Sequence, residues 1–536
     1  MTTKIWKRFK REFSVYVGIG VAVSLVSAIN VFYFQKLLDA IGQSMPILNL
    51  VIYGLTIIFV PIFSYLEQKP KMKLQSGIFF YLKEMALDKI SRISYSEYLK
   101  IGSGSLLQKV EAGASAGRNI HLNFYGRLFR ELIPETFFNL FFIAIIDLKL
   151  VPAILIGYIF IFIVTKYLLK ILQAIKENSL ISEEIMNNTL IRGITEMVTF
   201  RINKRYKKEI ANYHEMSIST TNNLIKMTMI HEFFFGFFAF LVAVIKLVIV
   251  ILTFANVISI SLGGLVALVT YVDRVYTPIA IFNVVFVQYH LDKVTYQRLQ
   301  DFYDTSNDEG LFIEGAPIQS IATISLTNLN LTIQNKRILK DFNLDLEKDK
   351  IYGLVGESGA GKSSLMKVIL GLFKPTSGDI FVNHKNLSSY NLNEYYDHIF
   401  YLSQDAPIFQ GTLKENIVFD KNIPDIQVIE ALEKCQLGHF YHSLEEGLDT
   451  RIGEKGSNIS GGEKQRIAFA RMFFSTAEII VIDEATSALD ESTEEKLLKE
   501  VMKIFKNRIV LMITHRPKNL EIVDEVIVLS NGYKIR

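Results

Sequence analysis

The sequence predicts a multi-domain protein, in which an all-α domain of six transmembrane helices is followed by an α/β domain built around a phosphate-binding loop. Three observations indicate this fold class. The mean hydropathy of +0.27 over 536 residues is high for a soluble protein. The apolar residues form long runs up to about residue 287, whereas the chain beyond about residue 301 has the pattern of a soluble α/β domain. That second part contains a glycine-rich loop between an apolar strand and a helix.

The two domains are expected to be joined by a short linker. The stretch Tyr303–Pro317 is rich in acidic residues, Gly and Pro, which is typical of a connection. We therefore predict a transmembrane domain over residues 1–302, a linker over residues 303–317 and a soluble domain over residues 318–536.

Apolar runs in the first domain predict the six spans. A run of about 20 residues is long enough to cross ~30 Å of hydrocarbon. One run is nearly twice as long and is interrupted at residues 147–149, so we expect two helices joined there by a tight turn. The fifth and sixth spans are expected to be joined near Asn256. The runs are Val15–Leu38, Ile47–Leu66, Leu132–Leu169, Phe233–Ala255 and Val257–Val287.

Basic residues indicate the topology of the spans. The amino terminus and the stretches 67–131 and 170–230 are rich in Lys and Arg, while the other connections are short and contain Lys149 as their only basic residue. Because cytoplasmic loops collect positive charge, both ends of the chain and both long loops are expected in the cytoplasm. The sequence thus predicts a multi-pass protein of the cell membrane, embedded in the lipid bilayer.

Charge and cysteine content exclude other classes of protein and site. The net charge of +4 comes from local clusters, so no nucleic acid is expected as a partner. The single cysteine, Cys435, excludes an internal disulfide and a multi-cysteine metal site.

The strongest motif is the glycine-rich loop Gly356–Ser363, which follows the apolar strand Ile351–Val355 and precedes a helical pattern over Ser364–Leu372. Its glycines let successive backbone N–H groups surround nucleotide phosphates, and the amino terminus of the helix adds positive potential. Lys362 is expected to reach the β and γ phosphates, and the Ser363 hydroxyl to coordinate Mg²⁺. The predicted ATP-binding residues of this loop are Gly356, Glu357, Ser358, Gly359, Ala360, Gly361, Lys362, Ser363 and Ser364.

An acidic pair supplies the second part of the predicted site. The apolar strand that begins at Glu478 ends in Asp483 and Glu484, at the edge where a parallel sheet presents its ligands. Asp483 is expected to hold Mg²⁺, and Glu484 to orient or deprotonate the attacking water. The cofactors predicted from these motifs are ATP and Mg²⁺.

Several further motifs resemble those of ABC ATPases. The segment Asn458–Arg466 resembles the signature motif of that family, with Glu463 where Gln is usual. Gln404 resembles the glutamine of the Q-loop, Ser487–Asp490 resembles the D-loop, and His515 resembles the switch histidine. With the six spans, the resemblance covers essentially the whole chain and implies an α/β P-loop ABC ATPase domain.

The resemblance also implies how the motifs act. Two ATPase domains close head to tail around two ATP molecules, and each ATP lies between the phosphate loop of one subunit and the signature motif of the other. The implied catalytic residues are Lys362, Glu484 and His515. The implied metal ligands are Ser363, Gln404 and Asp483, of which Gln404 also faces ATP. The residues implied to contact ATP across the dimer are Ser460, Gly461, Gly462 and Asp490.

One position departs from the family pattern. Ile333 stands where an aromatic ring usually stacks on adenine, and no aromatic residue occurs between Glu314 and Asp341. Stacking of a base on an aromatic ring contributes ~1–3 kcal/mol. We therefore expect weaker ATP affinity or looser base selectivity than an aromatic residue would give.

Further similarities favour a half-transporter of the exporter type. The spans precede the ATPase domain, and Ile452–Gly456 and Asp405–Thr412 resemble exporter sequences at the corresponding places. Lys109–Ala116 and Gly193–Arg201 occupy the positions of the two coupling helices, which dock on ATPase domains. The alternatives are an importer on the same fold, for example for siderophore-like uptake, and a membrane ATPase with a ligand-sensing or immunity role.

Three charged residues lie inside predicted spans, where charges are costly and usually face water or a partner. They are Lys246 in the fifth span and Asp273 and Arg274 in the sixth. One hypothesis places them in the translocation cavity, in contact with a zwitterionic or anionic substrate. The other hypothesis is that they form an ion pair that holds two helices together.

The sequence favours a homodimer, because Glu484 and the signature motif are both intact and two identical copies could form two competent sites. A heterodimer with a second half-transporter is the competing assembly. The transported substrate is unidentified: a small or modified peptide is the first expectation, and lipids and amphipathic compounds are the others.

Overall fold

The computed structural model describes the chain apart from residues 1, 43–45, 153, 158–162, 164–170, 172–174, 176–181, 183–184, 256–257, 316, 420, 454–458, 515 and 536, and apart from the side chains of residues 2, 103, 231, 283 and 517. The chain forms two compact units. The first contains Met1–Ser91 and Gly102–Thr305, and the second contains Arg92–Ile101 and Ser306–Arg536.

The secondary-structure elements described in the first unit are helices joined by turns. Four of its helices are long and apolar enough to cross a membrane: Lys10–Asp39, Ile47–Ile90, Tyr206–Phe254 and Leu262–Tyr303. The helices described before residue 304 include α1 (Thr2–Arg8), α2 (Lys10–Asp39), α3 (Ile47–Ile90), α4 (Tyr95–Ile101), α5 (Ser103–Arg118), α6 (Ile133–Ile146), α7 (Met197–Ile202), α8 (Tyr206–Phe254) and α9 (Leu262–Tyr303), with π-helical turns at Asn119–Gly126 and Leu128–Leu132; all but α4 belong to the first unit.

The turn after the third predicted span lies where the sequence places it. α6 ends at Ile146, and the backbone N–H of Lys149 donates to Asp147 Oδ1 at 2.9 Å. An Asp side chain that binds the backbone two residues on stabilises such a turn. Most of the predicted fourth span lies outside the described residues, as does the turn expected at Asn256. After that turn, Ser261 caps α9 by accepting a hydrogen bond from the backbone N–H of Gly264 at 3.0 Å.

The long cytoplasmic stretches predicted as loops are largely continuations of the spans. α3 has 44 residues and α8 has 49. At 1.5 Å per residue these helices are about 65–75 Å long, more than twice the thickness of the hydrocarbon core. The basic residues predicted to lie in loops therefore lie largely on helices. The second predicted coupling segment, Gly193–Arg201, overlaps the short helix α7.

The first predicted coupling segment lies within a helix of the first unit. Lys109–Ala116 is the middle of α5, which packs against α3 and α9. A Cβ atom at Gly117 would come within 2.7 Å of the Tyr296 ring, so the absence of a side chain allows this close approach. The part of this loop that belongs to the second unit is instead α4. There Tyr95 packs edge-on against Phe373, with 5.4 Å between the ring centroids.

The second unit is an α/β domain with two main sheets. The strands are β1 (Thr323–Ile333), β2 (Lys336–Glu347), β3 (Lys350–Gly356), β4 (Ser377–Val382), β5 (Lys385–Asn386), β6 (Ile399–Leu402), β7 (Gly411–Thr412), β8 (Arg451–Ile452), β9 (Ile479–Asp483), β10 (Ile509–Ile513), β11 (Glu525–Ser530) and β12 (Tyr533–Lys534). A six-stranded sheet has the order β12-β11-β3-β10-β9-β6, in which the strands from β11 to β6 are parallel and β12 is antiparallel to β11. A four-stranded antiparallel sheet has the order β2-β1-β4-β5. The helices are α10 (Lys362–Ile369), α11 (Leu392–Asp397), α12 (Leu413–Val418), α13 (Asp425–Lys434), α14 (Gly438–His442), α15 (Gly461–Ala470) and α16 (Glu491–Phe505).

The parallel strands of the larger sheet position the site. β9 and β10 are apolar and almost wholly buried, as strands are when both faces of a parallel sheet are covered. Ile513 at the end of β10 lies opposite Asp483 of β9 and Leu354 of β3. The residues that follow these strands therefore emerge at one edge of the sheet.

The predicted linker packs on the second unit. Asp308 is buried, and Glu309–Phe312 form a 3₁₀ helix. The side-chain amide of Asn391 donates to the carbonyl of Ile313 at 3.0 Å, and that of Asn393 donates to the carbonyl of Leu311 at 3.1 Å. This polar stretch is held by hydrogen bonds to α11 and its cap.

Candidate functional site

The glycine-rich loop joins β3 to α10 and has the backbone of an anion site. Gly359 and Gly361 have φ angles of 83° and 107°, which L side chains rarely adopt. α10 begins at Lys362, so the free N–H groups of its first turn lie beside the loop. The buried Lys362 amine donates to the carbonyls of Gly356 at 2.6 Å and Glu357 at 3.0 Å. A phosphate at the helix terminus would lie within reach of this amine.

The other predicted residues of the loop differ in exposure. Ser358 is exposed, and Ala360 is buried against the core of the domain. Ser363 and Ser364 lie in the first turn of α10, where Ser363 is exposed and Ser364 is half-buried. The Ser363 hydroxyl is therefore accessible to a cation bound with the phosphates.

Asp483 is the last residue of β9 and lies among charged groups. Tyr401 of the neighbouring strand β6 pairs with Val481 of β9, two residues before Asp483. Burial and the negative charge of Glu484 raise the pKa of Asp483, while the positive charges of Lys367 and Lys362 act in the opposite direction. A divalent cation would relieve the repulsion between the two carboxylates, and Mg²⁺ prefers oxygen ligands. The residues at this edge of the sheet therefore fit Mg²⁺.

Glu484 follows the strand in an uncommon backbone conformation. Its φ angle is 47°, and non-glycine residues held in this region cost about 1–3 kcal/mol and cluster at functional sites. Its backbone N–H donates to the carbonyl of Ile513 at 3.2 Å, which ties it to β10. Its carboxylate accepts a hydrogen bond from Gln404 Nε2 at 3.1 Å. The structure thus brings together the residues predicted from the Q-loop and from the acidic pair.

The signature segment begins a helix. Ser460 is the N-cap of α15, and Gly461 and Gly462 are its first two residues. Ser460 and Glu463 form a capping box, in which the Glu463 N–H donates to Ser460 Oγ at 3.3 Å. In return, Glu463 Oε2 accepts from both the backbone N–H and the hydroxyl of Ser460 at 2.7 Å.

Replacing Glu463 by Gln is expected to lower KM for ATP about 3- to 10-fold. The carboxylate lies beside the serine that would face the γ-phosphate, and two like charges ~4 Å apart repel by about 1 kcal/mol even in water. The measurement is KM in ATP hydrolysis by the purified chain. Glu415→Gln is the matched control, because Glu415 forms the same capping box with Thr412. An unchanged or higher KM in the Glu463 variant would contradict the electrostatic explanation.

Asp490 caps a helix in its own subunit. Its Oδ1 accepts hydrogen bonds from the Thr493 N–H at 3.0 Å and from the Ser492 hydroxyl at 2.8 Å. Hydrogen bonds from Thr493 and Ser492 hold the pKa of Asp490 well below its usual range. The carboxylate is therefore charged and fixed at the amino terminus of α16.

Ile333 lies at the end of β1, directly before a tight turn to β2. Gln334 and Asn335 have φ angles of 46° and 64°, as in the two-residue hairpin turns that match the twist of paired strands. Ile333 is half-buried, and Ile338 across the hairpin lies next to the phosphate loop, within 3.4 Å of where a Cβ of Gly361 would be. Aliphatic side chains thus line this side of the loop.

His515 lies outside the described residues, so the structure does not describe its contacts. Its neighbours are described: Thr514 is buried, and the Arg516 backbone N–H donates to Thr514 Oγ1 at 3.1 Å. Residues 454–458, just before the signature serine, also lie outside the described part.

The three intramembrane charges separate into two groups. Lys246 of α8 pairs with Asp273 of α9, with 2.6 Å between Nζ and Oδ1. Arg274 points to another helix, where Nη1 donates to the carbonyl of Ser27 in α2 at 2.9 Å. Each group connects two helices of the first unit.

Four residues at or near the site were not predicted from the sequence. Tyr401 and Lys367 act on Asp483, and the edge-of-sheet argument that identified Asp483 could have identified Tyr401, which lies on the adjacent parallel strand. Gln465 and Arg516 contact the segment after Glu484. Their partners are more than 20 residues away in sequence, so no local pattern indicates the contacts.

Comparisons with known proteins agree with this geometry. A family model described as ABC transporter matches residues 339–487. The chain is 25% identical over 541 residues to an export ATP-binding/permease protein of Rickettsia bellii, covering 98% of this chain and 92% of that protein. It is 38% identical over 201 residues to the mitochondrial iron-sulfur clusters transporter ATM1 of Saccharomyces cerevisiae, covering 37% of this chain and 29% of that protein. Alignments with several further curated relatives also span less than half of those proteins.

A solved structure has the same fold over nearly the whole chain. It is a bacterial Atm1-family ABC exporter with ATP bound, with a TM-score of 0.85 and 21% sequence identity, and the match covers 99% of this chain and 96% of that one. The candidate membrane-spanning helices and the nucleotide-binding α/β domain agree with the full-length relative. Together these findings support an exporter-type ABC half-transporter, a multi-pass membrane protein whose cytoplasmic ATPase domain couples ATP hydrolysis to transport.

Proposed function

We propose that two copies of this chain form the working transporter, bind two ATP·Mg²⁺ between them and export a small or modified peptide, or an amphipathic compound. The observation that supports the ATPase part is the convergence of motifs at one edge of the parallel sheet. Lys362 follows β3, Asp483 ends β9, and Gln404 reaches Glu484 at 3.1 Å. Because these groups come from separate stretches of sequence, the fold is what assembles them.

Each of these side chains has a role that suits its surroundings. Lys362 binds the β and γ phosphates, and Ser363, Gln404 and Asp483 hold Mg²⁺, which neutralises phosphate charge when it is bound. Glu484 orients or deprotonates the attacking water. Its hydrogen bond with Gln404 would let a change at the metal or at the Q-loop move the carboxylate.

The dimer follows from the division of each nucleotide site between subunits. Lys362 and Glu484 form one side of a site, and Ser460 begins a helix whose amino terminus favours an anion. One chain contains both sides, so two identical chains supply two complete sites. Size-exclusion chromatography with light scattering on the ATP-bound Glu484→Gln chain tests this: a dimer of one chain type supports the proposal, and a monomer would favour a heterodimer.

Transport itself is tested by comparing small molecules and peptides inside and outside cells that express the intact chain or Glu484→Gln. A compound that collects outside only with the active chain, and inside with the variant, would establish export and identify the substrate. Uptake by the active chain would reverse the proposed direction. ATPase activity that a ligand stimulates in vesicles without movement of that ligand would indicate a sensing or immunity role.

The geometry of the Lys246–Asp273 pair favours a contact that holds α8 and α9 together. We expect Lys246→Met and Asp273→Asn each to destabilise the purified chain, and the double variant to recover part of the loss. Breaking a fully buried pair costs about 3–5 kcal/mol, and the loss here is expected to be smaller because the Asp273 side chain is 48% exposed.

Thermal unfolding and transport, measured together, separate the two hypotheses for this pair. A stability loss with unchanged substrate selectivity supports the helix contact. Unchanged stability with altered selectivity would instead place Lys246 in the translocation cavity.

A further inference from the structure

The segment Ser487–Leu489, between Glu484 and Asp490, is held from two sides by side chains for which the motif resemblance gives no role. Gln465 of α15 lies on one side, and Arg516 lies on the other. We infer that Gln465 and Arg516 are positioning residues, which fix this segment and so place Glu484 and Asp490 relative to the signature helix. The inference rests on the proposed roles of Glu484 and of the signature motif.

The Gln465 side chain is buried and uses both ends of its amide. Nε2 donates to Ser487 Oγ at 3.2 Å, and Oε1 accepts from the backbone N–H of Ala488 at 3.0 Å. The backbone of this segment also lies against the start of the signature helix, since a Cβ at Gly462 would be 3.2 Å from the Ala488 carbonyl oxygen. An apolar residue at position 465 would remove both hydrogen bonds by which the Gln465 amide holds Ser487 and Ala488.

The Arg516 guanidinium holds the same segment from the other side. Nη2 donates to the carbonyl of Leu489 at 2.9 Å and lies 3.4 Å from that of Ser487. Nη1 pairs with the Glu494 carboxylate of α16, and the other oxygen of Glu494 accepts from Asn519 Nδ2 at 2.7 Å. A planar guanidinium bound on two edges has little freedom to move. Arg516 therefore connects the chain after β10 to the backbone before α16.

These contacts matter because the segment that they hold comes directly after Glu484, whose backbone conformation is strained. Glu484 has a φ of 47°, and the Ser487 N–H donates to the Glu484 carbonyl at 3.1 Å, so the strained residue leads directly into the held segment. Asp490 at the other end is fixed as a helix cap. Without Gln465 or Arg516 the segment could shift, and a displacement of ~1 Å at a reacting group can reduce a rate about 100-fold. The expected effect is on hydrolysis and not on ATP binding.

The test uses the purified full-length chain with Gln465→Leu and Arg516→Ala. We expect kcat for ATP hydrolysis to fall about 10- to 100-fold in each variant, with KM for ATP nearly unchanged. Arg516→Lys should recover part of the loss, because an amine keeps the charge and can reach one carbonyl. Lys518→Ala is the matched control: Lys518 is exposed, pairs with Glu491 on the same helix as Glu494, and should leave kcat unchanged.

The double variant, with both Gln465→Leu and Arg516→Ala, gives a measurement that a general loss of stability would not change. If both side chains act through one segment, the combined loss in kcat is smaller than the product of the single losses. Unchanged kcat in the single variants would overturn the inference. So would losses of kcat that follow losses of thermal stability, with no recovery in Arg516→Lys. Glu484→Gln, measured in parallel, distinguishes this inference from the proposed role of Glu484. If Glu484→Gln still hydrolyses ATP, the role of Glu484 is refuted. If Glu484→Gln loses hydrolysis while Arg516→Ala remains fully active, only the positioning role of Arg516 is refuted.

Discussion

Replacing Glu484 by Gln is expected to lower kcat for ATP hydrolysis about 10²- to 10⁴-fold, which is the usual contribution of a positioned general base. Gln has the shape of Glu but no proton-accepting charge. ATP should still bind, because the phosphate loop and Lys362 are untouched. The measurements are phosphate release and equilibrium ATP binding by the purified full-length chain.

Glu491→Gln is the control for this change. Glu491 is an exposed carboxylate seven residues further on, paired with Lys518, and its loss should leave hydrolysis at the level of the unaltered chain. Full hydrolysis by Glu484→Gln would show that another group activates the water. Loss of ATP binding would show instead that the contact between Gln404 and Glu484 shapes the nucleotide site.

The motifs around the phosphates could be predicted because each lies within a short stretch of sequence. The apolar strand before Gly356 and the one before Asp483 both become buried parallel strands. Parallel strands bring their carboxyl ends to one edge, so the meeting of the loop with the acidic pair follows from local pattern alone. The helix start at Ser460 is equally local, because Ser and Glu three residues apart form a capping box.

The extent of the helices in the first unit was harder to predict. Hydropathy identifies where a helix crosses the membrane, but α3 continues through polar sequence to Ile90, where no change in hydropathy indicates its end. Lys109–Ala116 has a helical pattern because it is part of a long packed helix, whereas α4 has only seven residues and a correspondingly weak pattern. Tertiary contacts such as that of Tyr95 with Phe373 decide which short helix belongs to the ATPase unit.

The unpredicted side chains share one property, which is that they act on a motif from a distance in sequence. Tyr401 acts on Asp483 from the neighbouring strand, and Arg516 binds Leu489 from 27 residues away. A motif identifies the groups that face the nucleotide, whereas the groups behind them are selected by packing. The geometry of hydrolysis is therefore expected to depend on residues that the motifs alone do not identify.

Ile333→Tyr is expected to lower KM for ATP about 5- to 100-fold and to increase the preference for ATP over GTP. A ring at the end of β1 could stack on the adenine, and base stacking on an aromatic side chain contributes ~1–3 kcal/mol, where 1.4 kcal/mol is about tenfold in affinity. The position is suitable because the neighbouring Ile338 already lies against the phosphate loop. KM for both nucleotides is measured in ATP and GTP hydrolysis.

The control for this change places the same ring on the other face of the strand. Successive side chains of a strand point to opposite faces, so Thr332→Tyr presents its ring away from the position of Ile333. Thr332 is exposed, and the ring there should leave both KM values unchanged. Equal effects of the two variants would mean that the ring acts through the hairpin and not through the base. An unchanged KM in Ile333→Tyr would show that adenine binds elsewhere, and that the aliphatic residue at this position is no defect in the nucleotide site.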